Sequence, residues 1–157
     1  MMAEQHSRLA CWLGFKMSEA GDGRIYAIAP GESHVGNPLI RALHGGIVST
    51  FLEFAAVHEL RLAIPAGAPA EALNINVDFL KSAKLAPLFA RARIAKVGRR
   101  LAFVDCVAWQ EDEFAPVAKA ACSFSLAKSV ATSLADASPA PPAKAGGAFL
   151  RMMDLGQ

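Results

Sequence analysis

A histidine, two glycines and an acid at fixed spacing are the residues of this chain best able to do chemistry. His44-Gly45-Gly46 opens the segment Gly45 to Leu62, GGIVSTFLEFAAVHELRL, and Glu53 stands near its middle. The segment has no proline and almost no polar face, which is the pattern of a helix buried on most sides. A carboxylate on the central turn of such a helix is costly unless it is paired or used. Glu53 can take a proton from water or attack a carbonyl carbon itself. A glycine where a helix begins lets a substrate oxygen approach backbone N–H groups that have no intrahelical partner. Those amides suit the oxyanion that forms when an ester-like carbonyl is attacked.

Spacing restricts how the two groups cooperate. Glu53 lies eight residues beyond Gly45, which is about 12 Å along one helix at 1.5 Å per residue. A reacting carbon has to sit roughly 3 Å from both groups. One helix cannot present both to one substrate. Two copies can, if their helices run antiparallel across a two-fold axis so that each glycine faces the other copy's acid. The expectation is an obligate homodimer, or a dimer of such dimers.

The surrounding elements must hold this pair. Residues 6–14 read as a short amphipathic helix, followed by strand-like Phe15 to Met17 and Gly23 to Ala29 around a turn at 19–23. A polar loop, Pro30 to Leu43, leads into the long helix, which stops at Pro65-Ala66-Gly67. Then the period changes to two: Leu73, Ile75, Val77 and Phe79 alternate with Asn74, Asn76 and Asp78. Leu88 to Val97, Leu101 to Trp109 and Val117 to Leu126 complete what reads as a four-strand antiparallel meander. This is an α+β domain over residues 1–128, a curled sheet against one long helix. Residues 129–157 are rich in Ala, Ser and Pro and read as a tail, with AFLRMMDLGQ as a short helix able to dock.

Asn37, His44-Gly45-Gly46 and Glu53, within GNPLIRALHGGIVSTFLE, resemble the hotdog-fold thioesterases, in particular the phenylacetate-degradation (PaaI) type. The likeness continues through NVDFLKSA, VGRR and VAWQEDEFAPVAKAACSFSL, roughly residues 12–127. It implies a curled antiparallel β-sheet wrapped around a central helix, hydrolysis of an acyl- or aryl-CoA thioester, and active sites at a dimer interface. Glu53 is then the catalytic acid, Gly45 the oxyanion amide, and Asn37 the residue orienting water or the thioester oxygen. His44 organises the loop. No cofactor is implied, because coenzyme A belongs to the substrate. Two departures stand out. Asn37 lies seven positions before His44 where many relatives have six, so the extra residue is either absorbed in the loop or displaces the amide. Glu replaces the commoner Asp at position 53, which leaves direct attack and water activation both open.

Gly46, Arg99 and Arg100 are the substrate-binding candidates, the two arginines because the phosphates of coenzyme A want cations. Lys81, Lys84 and Arg91 are further candidates. His34 and His58 read as structural or exposed. Ser49 and Thr50 most often bond backbone in such positions. Two other functions fit the same residues: a hotdog enoyl-CoA hydratase or dehydratase using His34 or His44 with Glu53, and a non-catalytic acyl-CoA-binding protein.

The bulk numbers exclude other classes. The chain has 157 residues, 54% hydrophobic and 19% charged, which suits one globular domain with a real core. A formal net charge of +2 argues against nucleic acid. No apolar run approaches the roughly 20 residues of a membrane span, and no secretory signal is evident. Cys11, Cys106 and Cys122 have no metal-ligand spacing, so no metal is expected and the location reads as cytoplasmic.

Overall fold

The computed structural model describes residues 8–126. Helix α1 (Arg8–Leu13) leads into strands β1 (Lys16–Ala20) and β2 (Gly23–Ile28). A short 3-10 turn, Glu32–His34, precedes a small hairpin of β3 (Val35–Asn37) and β4 (Ala42–Leu43). Helix α2 (Gly45–Ala63) follows, then β5 (Ala70–Phe79), β6 (Leu88–Val97), β7 (Leu101–Trp109) and β8 (Ala118–Leu126). The expected tail at 129–157 and the residues before Arg8 lie outside the described residues.

Six strands form one antiparallel sheet in the order β1-β2-β6-β7-β8-β5, curled around the long helix as the fold expectation required. The meander expectation needs correction. β5 does not pair with β6; it runs to the far edge beside β8, and β2 takes the place next to β6. The cause is the connection. Hairpin turns are short, whereas Leu80 to Pro87 is eight residues and is tied down on the way, by Leu43 N–H to Ala83 O at 2.8 Å and Leu85 N–H to Arg41 O at 2.9 Å. The loop at 30–43 is also more ordered than its composition suggests, because it carries the β3–β4 hairpin.

One face of α2 packs on the sheet through Val48, Phe51, Leu52, Ala55, Ala56 and Leu60. Cys106, Cys122, Trp109 and Phe124 are buried, as their apolar strands predict. The opposite face of α2 is only half-buried at Ile47, Thr50, Glu53, Phe54 and Val57. The chain by itself therefore covers one side of the helix, where the sequence pattern asked for burial on most sides.

Candidate active site

His44 is the N-cap of α2, in extended conformation, and its Nδ1 accepts the Gly46 N–H at 2.9 Å. Capping by a side chain is normally the role of Ser, Thr, Asn or Asp; here the imidazole does it. The Ile47 N–H bonds the His44 carbonyl at 2.9 Å. The Gly45 N–H, by contrast, has no hydrogen-bond partner among the described residues. The helix end thus offers one free donor, at the residue assigned to the oxyanion.

The cap is held from behind. The His44 N–H donates to the His34 carbonyl at 2.9 Å. Gly36 packs so closely on His44 that an added Cβ would lie 2.6 Å from the His44 Cα. Gly36 went unremarked in the sequence; its only signal was a glycine in a strand-like stretch, which marks a close backbone approach. His34 is 5% exposed, its Nδ1 accepts the Gly31 N–H at 2.9 Å, and Trp12 stands edge-on to its ring. In both histidines Nδ1 is thus an acceptor, so the neutral ring carries its proton on Nε2. Neither offers a free basic nitrogen while these bonds persist, which fits His44 as an organiser and His34 as a structural residue.

A cavity of about 350 Å³ opens beside the free amide, lined by Leu43, Gly45, Val48, Phe79, Lys81 and Ser82 among others. Glu53 does not line it. The carboxylate sits on the half-buried face of α2 with no hydrogen bond or ion pair among the described residues. Ser49 does not reach it; its hydroxyl donates to the Gly45 carbonyl at 3.0 Å. Asn37 is exposed, and its Oδ1 accepts the Leu39 N–H at 3.1 Å in a turn with its own backbone. Gly46 is exposed at the helix start, its N–H already given to His44.

The cationic candidates divide. Lys81 lines the cavity. Lys84 gives its Nζ to the Ile40 carbonyl at 3.2 Å. Arg91 is held by Glu113 at 2.7 Å and by Asp22 at 2.9 Å, and the Glu113 hydrogen bond pushes its pKa up, so it is occupied in the fold. Arg99 and Arg100 are exposed in the β6–β7 turn. Their neighbour Leu101 pairs with Ser125, while Phe79 pairs with Ala118 at the other end of β8. Seven residues of strand, about 23 Å, separate these positions. One chain does not bring the arginine turn to the Gly45 cavity. Among the described residues no cluster of His, Cys, Asp and Glu is arranged to hold a metal.

A protein from Chromobacterium violaceum is 30% identical over 80% of this chain and 88% of its own, with a TM-score of 0.64. The thioesterase superfamily model matches residues 41–114, a span that contains Gly45, Glu53 and Phe79. The chain belongs to the thioesterase superfamily. A Bacillus halodurans protein solved with CoA is 26% identical over 79% of this chain and 81% of its own, with a TM-score of 0.71. A phenylacetic acid degradation-related protein from Ralstonia eutropha, 22% identical over 74% of this chain and 88% of its own, shares the hotdog fold at a TM-score of 0.67. A search of curated proteins gives no match. No helix of the described residues is long and apolar enough to cross a membrane.

Proposed function

We propose that this thioesterase-family chain hydrolyses an acyl-CoA or aryl-CoA thioester at sites shared between two copies, in the manner of the phenylacetate-degradation type. The observation that carries the reading is the separation of its two reactive features. The unpaired Gly45 N–H opens on a cavity that Glu53, on the same helix, does not line. An antiparallel second copy would cover the half-buried face of α2 and set its Glu53 against this Gly45. The amide then holds the thioester oxygen as charge develops on it. Glu53 activates water or attacks the carbonyl carbon. CoA-type substrate is supported by the CoA held in the Bacillus halodurans relative. Lys81, at the cavity, is the nearest cation for its phosphates; Arg99 and Arg100, at the opposite end of the sheet, would serve the other copy's site. Such a protein would work in a reducing cytoplasm, where its thiols stay free.

Complementation between copies tests the shared site. Glu53→Gln and Gly45→Val are expected to be inactive alone against a panel of acyl-CoAs read with a thiol reagent. Co-expressed and mixed at random, half the dimers are hybrids with one intact site of two, so about a quarter of wild-type turnover returns. No recovery in hybrids that are shown to form would place both groups within one chain and end the proposal.

A further inference from the structure

Phe79 shares the inward face of β5 yet is left 55% exposed. Its partners on the same face of β5, Ile75 and Val77, are half-buried against the core. The ring instead reaches the start of α2: a Cβ built on Gly45 would meet its Cζ at 3.3 Å and its Cε1 at 3.6 Å. Gly45 and Phe79 also line the same cavity. A group held at the start of α2 therefore has the Phe79 ring beside it.

We propose that Phe79 is a specificity-determining residue that limits substitution on the carbon next to the thioester carbonyl. The inference rests on the thioesterase reading above. An oxygen bound to the Gly45 N–H holds its carbon within a few ångströms of the ring. On the thiol side of that carbon every CoA ester is alike, so only the acyl side can vary in width. An unbranched CH2 fits beside the aromatic wall; a quaternary carbon, or a ring joined directly to the carbonyl, collides with it. The substrate class is therefore thioesters whose α-carbon is unsubstituted, in preference to aroyl or α-branched ones. Phe79 is the aromatic group of the lining, and the lining residue whose ring comes within 4 Å of a Cβ built on Gly45.

The test compares hexanoyl-CoA with benzoyl-CoA and 2,2-dimethylpropanoyl-CoA, on the wild-type protein and on Phe79→Ala and Phe79→Leu. The wild type should prefer hexanoyl-CoA in kcat/KM, and Phe79→Ala should narrow the preference by about tenfold or more, as expected for relief of a steric wall. Phe79→Leu, which keeps an apolar side chain should the smaller one fail to fold, should fall between. An unchanged ratio in folded variants overturns the proposal. Binding of the matching non-hydrolysable ketone analogues, in which CH2 is inserted between sulfur and carbonyl, is measured by calorimetry in parallel. The same narrowing there supports Phe79 even if the wild type turns nothing over, an outcome that would sink the hydrolase reading alone. Analogues that fail to bind the wild type, or that bind all three proteins with one ratio, remove Phe79 from substrate selection.

Discussion

Two glutamates six residues apart on α2 have opposite surroundings. Glu59, in the C-terminal half, accepts the Tyr26 hydroxyl at 2.7 Å and pairs with Arg24 at 3.0 Å. His58 Nδ1 also meets the Tyr26 hydroxyl at 3.2 Å, and Phe15 stacks on the Tyr26 ring. Glu53, in the N-terminal half, has no such partners among the described residues. Both acids stand in a largely apolar helix, yet the fold uses one to pin α2 to β2 and leaves the other unpaired on the half-buried face of α2, two helical turns from the free Gly45 amide. Partnership, more than residue type, separates a structural carboxylate from one left unpaired.

The largest expected effect tests that contrast. Glu53→Gln should cut turnover about a thousandfold, the scale of a lost general acid–base group, with little change in thermal stability. Glu59→Gln should do the reverse, keeping turnover while costing about 1–3 kcal/mol for a buried charged hydrogen-bond network. Matched chemical denaturation and acyl-CoA kinetics on the two variants would show it. Equal stability losses would erase the distinction.

Gly45→Ala comes next. Its new methyl would press on Phe79 at 3.3 Å, and displacement near the reacting carbon should lower kcat about tenfold to a hundredfold. Phe79→Leu in the same chain should restore part of the loss by removing the colliding ring tip. Loss without any rescue would mean that the methyl acts directly on the substrate.

The C-terminal half carries a pH signature. Burial first, then the hydrogen bond from its hydroxyl to Glu59, raises the Tyr26 phenol above its ordinary 10.0. A raised folded pKa means that the native state holds the proton longer than the unfolded chain. The stabilisation is complete below pH 10 and declines as pH climbs above it. Cys106 is raised above 9.0 by its hydrogen bond with Cys122 and by burial, but the same bond lowers Cys122, so the two thiols oppose one another and Tyr26 carries the slope. Urea midpoints should fall as pH rises above 10, and Tyr26→Phe should flatten that decline. A pH-independent midpoint in the wild type would contradict the burial of Tyr26.

The smallest effect concerns the loop that leads into the N-terminal half of α2. Arg41 is in the left-handed region at φ 50°, where only glycine is unstrained, and its side chain pairs with Glu32 on the surface. Arg41→Gly should stabilise by about 0.5 kcal/mol, relief of strain outweighing an exposed ion pair. Thermal melts would resolve the sign, and destabilisation would show that the ion pair anchors the loop.

Legibility in the sequence followed the range of the interactions. The Gly45–Ala63 helix was readable because its boundaries are local: a glycine pair at one end and Pro65 at the other. The β6, β7 and β8 strands came through for the same reason, since alternation and turn residues act between near neighbours. The placement of β5 did not, because an eight-residue connection leaves several sheet positions open until the packing chooses. For the candidate site residues the sequence offered chemistry but not arrangement. Asn37 looks identical in sequence whether its amide faces a substrate or, as here, its own turn. Arg91 looked as available as Lys81 until Glu113 and Asp22, both distant in sequence, were brought to it.

By itself the sequence determined the long helix, the longer strands, the glycine pair at the helix end and the gap of two helical turns between Gly45 and Glu53. These depend on covalent spacing and on hydrogen bonds a few residues long. Only the tertiary structure decided which Glu is neutralised by Arg24 and Tyr26, which cation reaches the cavity, and that the Phe79 ring closes on Gly45. Each of those choices is made by contacts between segments distant along the chain, and local periodicity carries no information about them.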